Sequence, residues 1–320
     1  MKLSTLHASS VIYFLEVAKL GSISAASETL HVAVSAISRQ ISRLESDLGT
    51  DLFLRNTRGM ALTEAGQVVQ QYARRLLLDT ETLQAELLGL QGLKHSTVRI
   101  VCTDGFAQDY LPSVIVAFRK LYPGVMFSLD VCAPALATKM VREGIADVAL
   151  TFTIAAQEGI YVEYAEAAPI YAHVDRRHPL TLLGQVSLRD IVAHPVVLPT
   201  GPNIVRQLFD LVCGLGNLQP TVLLTSNSLA GLTGFLRYGS AVNFCGSLSV
   251  RNSLRANQQV LIPITDPEMN QRVLQVQTMA GRQLSPAVRA FIDVLIDDIK
   301  KRRRGVLKSP GTRASSSIRV

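Results

Sequence analysis

Apolar positions keep a helical rhythm through the first part of the chain and then change to short runs. Val11, Phe14, Leu15 and Ala18 fall on one face of a helix, the spacing that lays a stripe against a core. Gly21 ends that helix as a residue free to take positive φ. Ser22 stands where an N-cap belongs, before a second helix over Ser24–Leu30. Ala25 and Ala26 let that helix pack closely, and His31, Val32 and Ala33 form a short joint. In the third helix Ile37, Ile41, Leu44 and Leu48 line one side, while Ser35, Ser38, Arg39, Ser42 and Arg43 line the other. Leu52–Leu62 reads as two short strands around a tip flanked by Arg55 and Arg58. A long helix is expected from Glu64 to Leu90, capped by Thr63, with Glu64 suited to the positive end of its dipole. Its stripe is Val68, Val69, Tyr72, Leu76, Leu83, Leu87 and Leu90. A stripe of this length with no adjacent core is expected to bury against another chain; packing within its own chain is the alternative. Gln91–Ser96 reads as a hinge.

The polar side of the third helix carries hydroxyls and guanidiniums with no acid among them. Arginine can donate two hydrogen bonds to guanine O6 and N7 or clamp a phosphate, and small hydroxyls let a backbone approach a groove edge. Helix, short turn, helix is the helix-turn-helix arrangement. The two strands after it make a wing that can reach an adjacent minor groove or phosphates. The candidate DNA contacts are Ser22, Val34, Ser35, Ser38, Arg39 and Arg43, with Arg55 and Arg58 from the wing. Phe14–Ala18, Gly21–Ala26, Ser35–Ile41, Leu44-Glu45, Leu48-Gly49, Leu52–Arg55, Arg58-Gly59 and Leu62–Gly66 resemble, in order and spacing, the winged helix-turn-helix of LysR-type transcriptional regulators. The resemblance implies that the long helix pairs antiparallel in a homodimer. It also implies a homotetramer assembled through the C-terminal domains, bending DNA at promoters. Two heads call for two half-sites with matching approximate symmetry, an interrupted inverted repeat in double-stranded promoter DNA. RNA polymerase is a further partner. The family usually carries glutamine where this chain has Val34. Valine can touch a thymine methyl but cannot hydrogen-bond an adenine edge; it also lies three residues before Ile37 and can extend the core stripe. Both readings stay open.

From Thr97 the pattern becomes strands alternating with helices. Val98–Cys102, Val125–Val131 and Asp147–Phe152 read as strands, and Tyr110–Leu121 and Leu136–Glu143 as helices. Pro195–Leu198, Thr221–Leu224, Ala241–Phe244 and Arg272–Met279 read as further strands, with helices over Ile204–Val212, Ser228–Arg237 and Pro286–Lys301. Such alternation specifies largely parallel sheets with helices on both faces. Leu111-Pro112, Phe118-Arg119, Tyr122–Val125 and Gly144–Ala149 resemble the effector-binding domain of the same family. That implies a two-lobed α/β fold of the type 2 periplasmic-binding-protein kind. The expected domains are a winged helix-turn-helix over 1–62, all-α with a β wing, a linker helix over 63–90 and a hinge over 91–96. The first lobe takes 97–168 and 267–300, the second 169–266, with Pro169 and Pro267 as the crossings. Residues 301–320 form a basic tail, disordered beyond its first turn. Ligands in open α/β sheets bind beyond the carboxyl ends of strands. That rule selects Thr103, Asp104, Gly105, Phe106, Phe152 and Thr153 in the first lobe, and Thr200, Gly201, Asn203, Asn227, Phe244 and Gly246 in the second. Each has a plainer alternative as a cap, a turn residue or core. Cys132-Ala133-Pro134 stands where relatives often have hydroxyls, and Asp104 puts an acid at the mouth. The expected effector is therefore less anionic, partly apolar or amine-bearing.

The net charge of +7 does not locate the DNA face, because residues 300–320 hold eight basic and no acidic side chains. The tail adds either nonspecific attraction to nucleic acid or only solubility. No apolar run approaches the ~18 residues that a membrane span needs, and none precedes Val11 as a signal peptide would. Both features point to the cytoplasm and away from a membrane. Cys102, Cys132, Cys213 and Cys245 are widely separated, with no Cys-x-x-Cys pair, so neither zinc nor thioredoxin chemistry is indicated. They read as reduced, mostly buried side chains. A redox-responsive regulator is the alternative, since some relatives in this family switch through a disulfide. There is no Gly-x-Ser-x-Gly, P-loop, His-Glu-x-x-His or Gly-x-Gly-x-x-Gly. His173, His178 and His194 lack the spacing of a metal site or a triad. No enzyme, cofactor or metal is expected. The expected function is a sequence-specific, effector-responsive transcriptional regulator; a small-solute-binding protein with a non-functional DNA module is the reading from another class.

Overall fold

The computed structural model describes residues 8–56, 59–89, 96–155, 157–201, 203–256 and 258–307. The chain divides into two compact units, Met1–Gln84 and Ala85–Val320.

In the first unit, α1 (Ala8–Leu20), α2 (Ile23–Leu30) and α3 (Val34–Leu48) are followed by β1 (Phe53–Asn56), β2 (Gly59–Leu62) and α4 (Glu64–Gly89). Gly21 takes φ +65° between the first two helices, and the Ser22 hydroxyl accepts the Ala25 N–H at 3.3 Å. His31 turns the chain into α3 with φ 54°. The helix that follows has no side-chain cap at Ala33. It is held instead by Ile37, Ile41 and Leu44, which meet Val11, Phe14, Val17, Ala26, Leu52 and Phe53 in one core. Each fully buried large apolar side chain contributes about 1.5–3 kcal/mol, so the stripe rather than the cap fixes this helix. β1 and β2 pair antiparallel, Phe53 opposite Leu62 and Asn56 opposite Gly59. The Met60 N–H donates to the Gly21 carbonyl at 2.8 Å. A Cβ on Gly59 would come within 2.5 Å of that same oxygen, so glycine is what lets the wing reach the α1–α2 turn. Thr63 starts α4: its hydroxyl accepts the Gly66 N–H at 2.9 Å and donates to the Asp51 carbonyl at 2.8 Å. α4 turns Val69, Ala73, Leu76 and Leu77 toward its own unit's core, while Val68, Tyr72 and Leu83 stay exposed. Part of the stripe assigned to another chain is thus used at home. The side chains of Leu87 and Leu90 and residues 91–95 of the hinge lie outside the described residues.

The second unit opens with β3 (Thr97–Cys102), α5 (Asp104–Ala107), α6 (Tyr110–Leu121), β4 (Met126–Val131), α7 (Pro134–Arg142), β5 (Val148–Thr153) and β6 (Ile160–Ala167). Next come β7 (Tyr171–Asp175), α8 (Leu188–Ile191), β8 (Val196–Pro199), α9 (Ile204–Gly216), β9 (Val222–Ser226), α10 (Leu229–Phe235), β10 (Asn243–Cys245), α11 (Ser247–Ala256) and β11 (Gln259–Pro263). β12 (Val273–Met279) and α12 (Pro286–Leu307) return to the first lobe. The first lobe's sheet has the order β4-β3-β5-β12-β6, and the second lobe pairs β10-β7-β11 and β8-β9. Val196 bridges Val242 between those two ladders. Each lobe has its own core, the first around Phe118, Leu150 and Phe291 and the second around Leu198, Phe209 and Met269.

Both sheets are mixed rather than largely parallel. β3 is parallel to β4 and β5, but β12 runs antiparallel to β5 and β6. β7 likewise runs antiparallel to β10 and β11. In each lobe the strand that arrives from the other lobe runs against its neighbours. The crossings are joined at Ala168, whose N–H donates to the Arg272 carbonyl at 2.8 Å, and at Ile170, which donates to the Met269 carbonyl at 3.2 Å. Pro267, expected as the second crossing, opens a short 3-10 turn whose Met269 is buried in the second lobe's core. The crossing lies beyond it. α12 continues through Leu307, into residues expected as tail. Arg302 anchors that turn on Asp298 at 2.6 Å and Ser113 at 2.9 Å, and Arg303 reaches Glu166 at 3.7 Å. Residues 308–320 lie outside the described ones.

Candidate functional site

The outward face of α3 carries Val34, Ser35, Arg39, Ser42 and Arg43, with Ser38 half-buried. Val34 is 46% exposed and so does not extend the core stripe; it sits in the first turn, ahead of the point where Ile37 enters the core. Arg39 Nε donates to the Ser35 carbonyl at 3.1 Å, which lays the guanidinium along the start of the helix. Arg43 stands 3.8 Å from Asp47 with both largely in water, a weak pairing that a phosphate can replace. Ser22 is half-buried, and its hydroxyl is engaged as the α2 cap. Arg55 lies 3.4 Å from Glu45. The other oxygen of that carboxylate accepts the Leu52 and Phe53 N–H groups at 2.9 and 3.3 Å. Glu45, absent from the candidate contacts, is thus what pins the root of the wing to α3. Arg58 lies outside the described residues.

In the second unit a cavity of about 500 Å³ opens between the lobes. Thr103, Asp104, Gly105, Phe152, Thr200, Gly201, Asn203, Asn227, Phe244 and Gly246 all line it. Phe106 does not: its ring is buried against Phe152 and Tyr110, with centroids 4.9 and 6.0 Å away. Thr153 does not either, because its hydroxyl folds back and donates to the Ala155 carbonyl at 2.6 Å. Asn203 Oδ1 is spent capping α9 through the Val205 N–H at 2.9 Å, and the Ser228 hydroxyl accepts the Gly231 N–H of α10 at 3.4 Å. Cys132, Ala133, Pro134, Ser226, Leu229, Leu232, Ser249 and Arg272 complete much of the wall.

Two charged groups decide the electrostatics of this cavity. The Asp104 carboxylate accepts the Leu229 N–H, so it ties the first lobe to the N-terminus of α10 in the second. Arg272 is only 3% exposed. Its Nε donates to the Ala168 carbonyl at 3.0 Å, and its guanidinium lies 3.9 Å over the Phe152 ring. Burial lowers its pKa to about 10, so it remains a cation at neutral pH. The expectation of a less anionic ligand rested on a free acid and a lack of donors. The acid is engaged by a backbone N–H, and a buried cation stands in the wall.

Burial pushes the Cys102 and Cys245 thiols up to about 12 and Cys213 up to about 11. It also raises Cys132, at the cavity wall. Burial thus disfavours the reactive thiolate at all four cysteines, although Cys102 and Cys132 are neighbours, the Cys132 N–H donating to the Cys102 carbonyl at 3.0 Å. His173 is buried between Gln259 at 3.1 Å and Asn243 at 3.4 Å, and burial lowers it to about 4, the state of a neutral core histidine. Among the described residues no group of three His, Cys, Asp or Glu could hold a metal ion, and no helix is long and apolar enough to cross a membrane.

Comparison with known proteins agrees with both halves of this geometry. Residues 91–300 match the LysR substrate binding domain, and residues 9–67 match the bacterial regulatory helix-turn-helix protein, lysR family. The chain is 23% identical over 284 residues to the HTH-type transcriptional regulator YybE of Bacillus subtilis, covering 89% of this chain and 96% of that one. Among solved structures, full-length OxyR from Pseudomonas aeruginosa superposes with a TM-score of 0.67 at 17% identity, over 98% of this chain and 99% of that one. Full-length CbnR in complex with its target DNA gives 0.55 at 20% identity, over 91% and 99%. With a winged helix-turn-helix in one unit and a two-lobed α/β domain in the other, the chain belongs to the LysR family of DNA-binding transcriptional regulators.

Proposed function

We propose that this regulator works in the bacterial cytoplasm as a homodimer or homotetramer, reading an interrupted inverted repeat in promoter DNA under control of a small effector held between the lobes. α3 enters the major groove. Arg39, Ser35, Ser38 and Val34 meet base edges there, Arg43 and Ser22 meet phosphates, and Arg55 and Arg58 carry the wing to the adjacent minor groove or backbone. The observation that carries this reading is the division of α3. Ile37, Ile41 and Leu44 are at most 1% exposed, so the opposite face of Ser35, Arg39 and Arg43 is presented by a helix that cannot roll. Effector bound in the cavity favours one arrangement of the effector domains and so shifts how the heads sit on DNA. RNA polymerase is the partner whose access that shift changes. No catalytic step is assigned to the chain.

Genome-wide capture of DNA fragments by the purified full-length protein, at one fixed moderate salt concentration, tests the reading. A shared interrupted inverted repeat is expected. Arg39→Ala should bind that repeat about 5- to 150-fold more weakly, the cost of losing one bidentate base contact, with a much smaller loss on random sequence. Capture without a motif, or an Arg39→Ala variant with unchanged selectivity, rejects the assigned face.

A further inference from the structure

Arg272 is 3% exposed and the side chain of Arg282 is 3% exposed, yet their charges are met differently. Arg282 meets the Asp147 carboxylate at 2.8 Å. No carboxylate among the described residues lies within ion-pair range of Arg272. Its Nε is satisfied by the Ala168 carbonyl and one face of its guanidinium by the Phe152 ring, but the Nη2 nitrogen is buried with no hydrogen-bond partner. The Thr103 hydroxyl, also at the cavity wall, is buried and unpartnered as well. Leaving an ionised donor out of water without an acceptor is costly, and a buried charge is ordinarily paired. The backbone makes room for the missing acceptor: a Cβ on Gly246 would stand 2.6 Å from Nη2. The same wall also carries the apolar side chains of Phe152, Phe244 and Leu232, among hydroxyls that include Ser249.

We propose that the cavity takes a carboxylate-bearing ligand with an apolar body, its charge received by Arg272 Nη2 and the Thr103 hydroxyl and its body set against Phe152, Phe244 and Leu232. This rests on reading the cavity as the effector site, and it names the chemistry that site selects. It also gives the ligand's charge a direct line to the hinge. The guanidinium that binds the carboxylate is the one whose Nε holds the Ala168 carbonyl, and the Arg272 carbonyl accepts the Ala168 N–H. A ligand pulling on Nη2 therefore acts on the two crossing strands without any intermediary.

The test uses the full-length protein and matched probe pairs of equal size, phenylacetate with phenylacetamide and hexanoate with hexanamide, measured by calorimetry and thermal shift. At least one carboxylate should bind about tenfold or more tightly than its amide. Arg272→Gln should abolish that preference, and Arg272→Lys, which keeps the charge in a different geometry, should retain part of it. Gly246→Ala keeps the arginine but puts a Cβ 2.6 Å from Nη2, so it should displace the guanidinium and weaken the carboxylate as strongly as Arg272→Gln does; circular dichroism and thermal unfolding of each variant without ligand separate this loss from misfolding. Carboxylates and amides binding alike, with both lost in Gly246→Ala, would overturn the anion proposal and leave the effector cavity standing. Undiminished carboxylate binding in Arg272→Gln would overturn it too. No binding by either series would overturn the proposal together with the cavity reading, while capture of operator DNA would still stand.

Discussion

Glu45 makes three bonds from one half-buried carboxylate: to the Leu52 N–H, to the Phe53 N–H and to the Arg55 guanidinium. Its own backbone lies in α3, so the carboxylate fixes the start of β1 relative to the helix proposed to read bases. Glu45→Ala should lower the stability of the DNA-binding unit by about 1–3 kcal/mol, since two backbone donors lose a charged acceptor. It should also weaken operator binding more than that loss of folding explains, because Arg55 is released with the wing. Thermal unfolding and operator titration of the same preparation check it; unchanged operator affinity would return Glu45 to a purely local role. The sequence shows Glu45 following Leu44 at the end of an amphipathic run, and nothing in that run says which acid turns inward. The partners are seven to ten residues away across a turn, beyond the reach of helical periodicity. Val34 was undecidable for the same reason. Its spacing allowed the core, and only the way the first turn of α3 meets α1 and α2 left it in solvent.

α3 and α4 differ in how much of their burial their own periodicity reveals. The stripe of α3 is legible because every apolar position in it serves one core. α4 carries two apolar faces in one pattern. Val69, Ala73, Leu76 and Leu77 serve its own unit, whereas Val68, Tyr72 and Leu83 are 69%, 52% and 55% exposed. The second set is the surface on which the proposed dimer would form, since exposed residues of this size along one long helix are otherwise left in water at a cost of about 1.5–3 kcal/mol each. The paired substitution Tyr72→Asp with Leu83→Asp should therefore raise the dimer dissociation constant by about 100-fold or more, with the circular dichroism of the helix retained. Sedimentation equilibrium decides it. A variant that stays dimeric would move the contact elsewhere, for which the edge strands β4 and β9, with exposed Met126, Val131, Val222 and Leu223, are the next candidates.

The cavity shows what a strand-end rule can and cannot find. Thr103, Thr200 and Asn227 follow strands whose direction the alternation of elements implied, Phe152 lies at the C-terminal end of another, and all of them line the wall. Arg272 was invisible because it precedes a strand. β12 is antiparallel to β5, with Val273 opposite Thr153, so its N-terminal end arrives at the edge where the rule looks only for C-terminal ends. Ser249 was missed because it lies in the first turn of α11, past the strand end at Cys245 that the rule reads. Non-local geometry also reassigns Asp104, from a free acid at a mouth to a latch between lobes. The α5 backbone beside it is equally committed: a Cβ on Gly105 would overlap the Ser249 side chain. The two lobes are therefore held at one side of the cavity by Asp104 on Leu229 and by the close approach of α5 to α11. Asp104→Ala should remove the charged acceptor at the start of α10, speed exchange of the Leu229 amide by tenfold or more, and cost the effector domain about 1–3 kcal/mol. Gly105→Val should speed the same amide by forcing the helices apart with the carboxylate intact. Hydrogen exchange read by mass spectrometry separates the cases. Protection of Leu229 lost in both variants means that the lobes open as a hinge about Ala168 and Arg272, and protection unchanged in both means that the cavity is a fixed pocket in which ligand binding cannot move one lobe against the other.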